Sequence, residues 1–171
     1  MATPDEAVVV SRPETFEAFY RREFRRVVAI AYALSGSRAG AEDLAQEAFI
    51  AAHRRWDEIG SYEKPEAWVR RVVSNMAVSA FRRRRSEAKA LARLAGRRQE
   101  VLPPLEPEHD GFWELVRQLP KRQAQAVALH YLEDLPVIEI ADILDCSPNT
   151  AKVHLHRGRR ALAAKLSEEG P

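Results

Sequence analysis

The stretch that most constrains the fold is Leu119–Leu166, LPKRQAQAVALHYLEDLPVIEIADILDCSPNTAKVHLHRGRRALAAKL. Within it Val137, Ile140, Ala141 and Leu144 recur at i, i+3, i+4 and i+7, one apolar stripe of an amphipathic helix. Asp145 and Cys146 break the pattern. Ser147 then offers an N-cap oxygen, and Pro148 stands at the first helical position, where no backbone N–H is missed. A helix, a short turn and a second helix are therefore expected, the helix-turn-helix arrangement. Spacing places Ala151, Leu155, Gly158 and Leu162 on the inner face of the last helix. Asn149, Thr150, Lys152, His154, His156 and Arg157 remain for a groove and its phosphates. Ser147–Leu166 holds five Lys/Arg and no acid, and an acid-free helix suits a polyanion because each neutralised phosphate releases counterion.

The chain of 171 residues carries a net charge of only +2, but the charge is strongly partitioned. Residues 1–63 are net −3, 64–98 net +9, 99–146 net −7 and 147–171 net +3. Two basic blocks alternating with acidic ones point to nucleic acid. The single cysteine, Cys146, excludes an internal disulfide and a thiol zinc cluster. No apolar run is long enough for a signal-peptide core or a membrane span. A soluble cytoplasmic protein with no membrane insertion is expected.

Residues 1–13 are expected to form a flexible arm. Phe16, Phe19, Tyr20, Val27, Ile30, Ala31 and Leu34 have helical spacing over 14–34, and Gly36 is the expected left-handed cap. A second helix over 39–56 points Ala41, Leu44, Ala45, Ala48, Ala52 and Trp56 inward. Its outer face carries Glu42, Asp43, Gln46 and Glu47, with Phe49 and Ile50 beside them; composition alone favours a solvated face with Phe49 in the core. Residues 57–64 read as a polar loop. Pro65 opens a third helix to about Arg85, with Trp68, Val69, Val72, Met76 and Ala80 inward and Arg70, Arg71, Asn75 and Ser79 outward. The basic run Arg82–Arg85, with an aromatic at the start of the helix, suits single-stranded nucleic acid. Ser86–Arg98 continues as a basic, alanine-rich helical segment. Pro103, Pro104 and Pro107 forbid a regular helix, which places a linker at about 88–108. A short helix over 112–119 and another over 121–132, with Ala124, Val127, Ala128 and Tyr131 inward, lead into the helix-turn-helix. No strand pattern occurs. The expected fold is all-α: two small helical domains joined by a flexible linker, the C-terminal one a helix-turn-helix. The domains are assigned to 14–87 and 109–167, with a tail at 168–171.

Catalytic chemistry finds no support. His154 and His156, at i and i+2, face different ways and cannot share a metal. His53, His109 and His130 are isolated. No phosphate-cradling glycine loop, HExxH or nucleophile elbow is present. No catalytic residue, metal or cofactor is expected, and the protein is not expected to be an enzyme.

Three segments together resemble a known family: AEDLAQEAFIAAHRRW (41–56), KPEAWVRRVVSNMAVSAFRRRR (64–85) and the stretch from Leu119 to Leu162. The E-D-L-x-Q-E-x-F signature, followed by W-x-x-R-x-x-x-N and a run of arginines, resembles bacterial RNA polymerase sigma factors of the sigma-70 family. The match is to the small two-domain extracytoplasmic-function group. The resemblance implies a factor that joins core RNA polymerase, directs it to −10/−35 promoters and assists opening. It implies core docking through Asp43, Leu44, Gln46, Glu47 and Phe49, which reverses the reading of that face from composition. It implies single-stranded −10 contacts from Ser61, Tyr62, Lys64, Trp68, Arg70, Arg71, Asn75, Arg82, Arg83 and Arg84. It implies duplex −35 contacts in the major groove from Asn149, Thr150, Lys152, Val153, His154, His156 and Arg157, with Arg122 and Arg159 on phosphates. Many relatives also have an anti-sigma factor as partner. Three positions depart from the family pattern. Asp145 stands where Gly is usual at the turn, a position Asp tolerates. Pro136 replaces a Ser or Thr before the middle helix, with Asp134 expected to cap instead. Ser79 stands where Asp is often found. The alternative is a stand-alone helix-turn-helix regulator.

Overall fold

A computed structural model describes residues 14–96 and 110–168. The expectations for the N-terminal arm, for the linker beyond Gly96, for His109 and for the last residues of the tail lie outside these. The described residues form eight helices and no strand: α1 (Phe16–Ser35), α2 (Arg38–Arg54), α3 (Trp56–Ile59), α4 (Pro65–Leu94), α5 (Asp110–Arg117), α6 (Lys121–Glu133), α7 (Val137–Leu144) and α8 (Pro148–Glu168).

The N-terminal domain packs α1, α2 and α4 on one another. Thr15 caps α1, its hydroxyl accepting from the Ala18 amide at 3.2 Å. Gly36 ends α1 in the left-handed region at φ 72°, as expected, and its N–H reaches the Tyr32 carbonyl at 2.8 Å. Ser37 caps α2 at once, accepting from Gly40 at 3.1 Å. So the α1–α2 turn is only two residues long, and the helices fold back as an antiparallel pair. Ala41, Ala45, Ala48 and Ala52 of α2 are fully buried. Small side chains at that spacing let α2 lie close to its neighbours. Phe49 fills the remaining space among Phe16, Phe19, Tyr20 and Phe24, with ring centroids 4.9–6.4 Å apart.

Three expectations for this domain are corrected. The polar loop at 57–64 begins as a helical turn, because Ile59 is fully buried and anchors it. The inner stripe of α4 is Val69, Val73, Ala77, Val78 and Phe81, while Trp68, Val72, Met76 and Ala80 are half-buried. The face is turned by about one residue because α4 is covered by the C-terminal domain as well as by α1 and α2. Finally, α4 runs on to Leu94, so the basic, alanine-rich segment from Ser86 is helical as read, and the linker assigned from residue 88 starts later. Ala88, Ala90, Leu91, Ala92 and Leu94 are good helix formers, and Gly96 at φ 62° marks the stop.

In the C-terminal domain α6, α7 and α8 pack mutually, with α5 across α6 and α8. Asp134 and Asp145 both adopt the left-handed region, at φ 51° and 55°. Asp145 therefore makes the turn that Gly makes elsewhere. Asp134 ends α6 and does not cap α7, whose N-cap Pro136 has no side-chain hydrogen bond. Six consecutive residues of α6, Ala124–Leu129, are buried, because α6 is covered by α1 on one side and by α7 and α8 on the other. Tyr131, expected inward, is 52% exposed.

The two domains close on each other. Their buried apolar residues form one continuous cluster, and a polar seam runs beside it. Arg70 is buried and bridges Glu23 of α1 at 2.9 Å and Glu133 of α6 at 2.7 Å. Gln125 donates to Ser74 and Asn75 at 3.2 and 2.9 Å. Arg71 donates to the carbonyls of Ile143 and Asp142 at the end of α7, at 2.9 and 2.6 Å. Lys64 pairs with Glu139 at 3.2 Å. Arg117 of α5 donates to the Ala33 carbonyl at 3.1 Å, near the C-terminal end of α1, where cations are favoured.

Candidate nucleic-acid interface

Helix α8 presents the expected face. Ala151, Leu155, Gly158 and Leu162 are buried, and Asn149, Thr150, Lys152, Val153, His156, Arg157 and Arg159 are exposed. Ser147 caps the helix, its Oγ accepting from the Thr150 amide at 3.1 Å. The Thr150 hydroxyl lies 2.8 Å from the same oxygen, so it is shared with the cap. Gly158 lets α8 approach α6 closely: a Cβ there would meet Val127 Cγ2 at 2.8 Å. His154 is half-buried. Burial first, then the charges of Arg122 and Arg157, hold its pKa below the ordinary histidine value. A neutral imidazole offers one donating and one accepting nitrogen.

Two basic residues beside this face are held in place. Arg159 donates to the Tyr131 hydroxyl at 3.2 Å and lies 2.7 Å from His130 Nε2, with its guanidinium 5.5 Å from the Tyr131 ring centre. From sequence Tyr131 was expected inward and His130 was read as isolated. Both stand near the C-terminal end of α6, Tyr131 exposed and His130 half-buried, and neither was expected to hold Arg159. Arg122 is half-buried on the first turn of α6, beside Lys121. Burial and the nearby charges of Arg122 and Arg82 lower the Lys121 pKa. So Arg82 of the N-terminal domain and the start of α6 form one positive field.

The residues expected at the −10 element are divided. Ser61 and Tyr62 are exposed in the turn after α3, and Arg82, Arg83 and Arg84 are exposed along α4. Tyr62 donates to Glu58 at 2.6 Å, and Glu58 pairs with Arg55 at 2.8 Å. The Tyr62 hydrogen bond, followed by that of Arg55, lowers the Glu58 pKa. Arg55 also lies 5.6 Å from the Trp68 ring centre, so one face of half-buried Trp68 already carries a cation. Arg55 was missed because it stands between α2 and α3 while the ring it covers, Trp68, belongs to α4. Arg84 also donates to the Ser35 carbonyl at the end of α1. Arg70, expected outward, is 4% exposed. Arg71 and Asn75 are half-buried, and together with Lys64 and Arg70 they contact the C-terminal domain.

On α2 the acidic face is real but its aromatic is not part of it. Asp43, Gln46 and Glu47 are exposed and Leu44 is half-buried. Phe49 is 2% exposed and belongs to the core, while Ile50 is 52% exposed beside the acids. The composition-based reading of Phe49 therefore holds, and Ile50 is the apolar side chain on that face.

Among the described residues no group of three His, Cys, Asp or Glu side chains could hold a metal ion. No described helix is long and apolar enough to cross a membrane.

Comparison with known proteins agrees with this geometry. The family model for sigma-70 region 2 matches residues 19–87, and that for sigma-70 region 4 matches 109–162. The ECF RNA polymerase sigma factor SigW of Bacillus subtilis is 28% identical, over 84% of each chain. The ECF sigma factor SigE of Mycolicibacterium smegmatis is 31% identical over 98% of this chain and 66% of its own. The sigma factor RpoE of Bartonella quintana, solved in complex with the anti-sigma factor NepR, superposes with a TM-score of 0.65. That match has 25% identity and covers 91% of this chain and 98% of RpoE.

Proposed function

The chain belongs to the sigma-70 family, in its extracytoplasmic-function group, and from that membership we propose how its residues share the work of promoter recognition. As a sigma factor it binds core RNA polymerase and directs it to promoters for initiation. The division of labour is our reading. The exposed face of α2, Asp43, Gln46 and Glu47 with Ile50, docks on the polymerase. Arg82–Arg84 track the phosphates of the separated −10 strand, and Ser61, Tyr62 and Trp68 meet its bases. Helix α8 enters the major groove at the −35 element, with Asn149, Lys152, His156 and Arg157 toward base edges. Arg122 and Arg159 sit on phosphates and fix register. The bond chemistry is the polymerase's, and the site of action is the cytoplasm. An anti-sigma factor, the kind of partner RpoE takes in NepR, belongs to the same reading.

The observation that carries this assignment is the exposed, acid-free face of α8, seated by Gly158 and capped by Ser147. Run-off transcription on a promoter library, with purified core enzyme and with or without the protein, is the test. Promoter-dependent transcripts that appear only with the protein are expected. Tight polymerase-free binding to duplex DNA, with no such transcript, would favour a stand-alone regulator and sink the assignment.

A further inference from the structure

Arg159 stands seven residues after Lys152 and three after His156, so it continues their face of α8. The first turns of a recognition helix meet base edges. Arg159 comes after them, beside the strand backbone, and it is exposed.

A guanidinium has five N–H groups in a planar fork. Nε of Arg159 donates to the Tyr131 hydroxyl at 3.2 Å, and Nη2 lies 2.7 Å from His130 Nε2. Both bonds use the Nε–Nη2 edge. The Nη1–Nη2 edge keeps its N–H groups, and such an edge takes a phosphate with two parallel bonds.

The histidine can do this in one form. Its Nδ1 lies 3.3 Å from the Leu135 carbonyl oxygen. A carbonyl oxygen accepts and never donates, so Nδ1 carries the proton. In the neutral ring Nε2 is then the bare nitrogen, and it accepts from Arg159. The opposite tautomer would set one N–H against another. Tyr131 accepts Arg159 with its oxygen and keeps its own O–H to donate. Phe112 of α5 packs edge-on against the Tyr131 ring, with centroids 5.8 Å apart, and steadies it from a third helix. Both holders of Arg159 are uncharged, while Glu133 of the same helix end is taken up by Arg70. The arginine is therefore fixed without being neutralised, and its charge remains for an anion. A side chain ordered in advance loses less freedom when it binds.

We propose that His130 and Tyr131 are positioning residues for promoter binding. They hold Arg159 as a preformed seat for one backbone phosphate of the −35 duplex, with the Nη1–Nη2 edge open and His130 in its Nδ1–H tautomer. The proposal rests on the reading of Arg159 as a phosphate contact.

The test has two parts. Magnetic resonance of the histidine side-chain nitrogens in the full chain, at about pH 8 where an ordinary histidine is neutral, is expected to show His130 protonated on Nδ1 and bare on Nε2. The opposite tautomer would overturn the proposal. The second part measures binding of a labelled promoter duplex by holoenzyme assembled with purified core polymerase. Circular dichroism and core pull-down check that each variant folds and assembles. Arg159→Ala is expected to weaken binding about tenfold and to lower the salt slope by about 0.9. His130→Leu, which lacks the acceptor, is expected to weaken binding several-fold. His130→Gln, whose side-chain oxygen can accept from Arg159, is expected to recover most of that loss. In the Arg159→Ala background His130→Leu is expected to cost nothing more. A His130→Leu holoenzyme that binds like wild type would overturn the positioning role and leave Arg159 standing as a phosphate contact. So would an equal further loss on top of Arg159→Ala, which would make His130 a structural residue. An Arg159→Ala holoenzyme with unchanged affinity and salt slope would overturn the phosphate reading and the seat together.

Discussion

The close approach at Gly158 gives the sharpest test of how the recognition helix is seated. In Gly158→Ala the new methyl falls 2.8 Å from Val127 Cγ2, and 3.4 Å from the Gln123 carbonyl oxygen. Carbon atoms rest at about 3.5–4.0 Å, so nearly 1 Å must be found. Val127 is fully buried and β-branched, with one strongly preferred rotamer in a helix, so it cannot swing aside. Overpacking of this kind costs about 1–3 kcal/mol. Alanine in place of glycine inside a helix returns about 1 kcal/mol. The net expectation is a loss of about 1 kcal/mol, roughly 2–4 °C in Tm for a chain of this size. Val127→Ala alone opens a cavity and costs about 2–3 kcal/mol. In the double variant the methyl introduced by Gly158→Ala enters that cavity and the helix gain is kept. The double variant is therefore expected to cost less than the sum of the singles by about 1–3 kcal/mol. Urea unfolding followed by circular dichroism measures all four corners of the cycle. The packing argument fails if Gly158→Ala is stabilised by about 1 kcal/mol, as an uncrowded helix would be, or if the singles add to within about 0.5 kcal/mol.

Other perturbations address the same surfaces. Ser147→Ala removes the α8 cap and is expected to cost about 1 kcal/mol, read as a lower urea midpoint; an unchanged midpoint would deny the cap its role. Arg157→Ala is expected to weaken holoenzyme binding by about 1–3 kcal/mol at one −35 base pair, and an equal loss on every −35 sequence would make it a phosphate contact instead. Asp43→Arg is expected to weaken core-polymerase pull-down while leaving the melting curve intact; normal retention would move the docking face elsewhere. The depressed His154 pKa gives a pH dependence with a fixed sign. Below the ordinary value of 6.5 the unfolded chain takes up a proton that the folded chain still refuses, so this contribution to stability is present above that pH and is lost as pH falls through it. His154→Gln should flatten the stability profile just below about pH 6.5, and an unchanged slope would refute the assignment.

The helix-turn-helix was legible because its signals are local. Ser147, Pro148 and the apolar spacing of α7 and α8 act within a few residues, and the structure keeps all of them. The left-handed Asp145 followed from the resemblance, in which Gly is usual at that turn, a position Asp tolerates. The faces of α4 and α6 were misread because each is covered from two sides. A stripe rule assumes a single neighbour, yet α4 meets α1, α2 and α7, and α6 meets α1, α7 and α8. Two signals for the second neighbour were present in the sequence. Glu23 sits at a core position of α1, four residues from both Phe19 and Val27, and demands a buried cation. Glu133 stands at the negative end of α6, where an acid is unfavourable without a partner. Both requirements are met by Arg70, but no spacing links 23, 70 and 133. Phe49 shows the opposite case: composition placed it in the core, and the family signature drew it outward because the residue beside it, Ile50, supplies the exposed apolar group.

The chemistry of the seam fits what the two domains must do. Domains of this size bury a modest share of their surface and are marginal alone, so packing one on the other adds apolar burial that each lacks. A factor that reads two separated DNA elements must nevertheless give that packing up. An apolar seam alone would expose a hydrophobic patch on opening, a liability for a chain waiting for its polymerase. A seam rich in Arg70, Arg71, Lys64, Glu133, Glu139 and Gln125 behaves differently. Its groups are hydrated as soon as they part. The side-chain carbonyl oxygen of Gln125 and Arg70 Nε find no hydrogen-bond partner within the closed chain, and buried polar groups in that state cost about 1–3 kcal/mol each. Opening returns both to water. The closed state is thus held by specific ion pairs and opposed by orphaned polar atoms a few residues away, a balance that a single partner on α4 or α6 is able to tip.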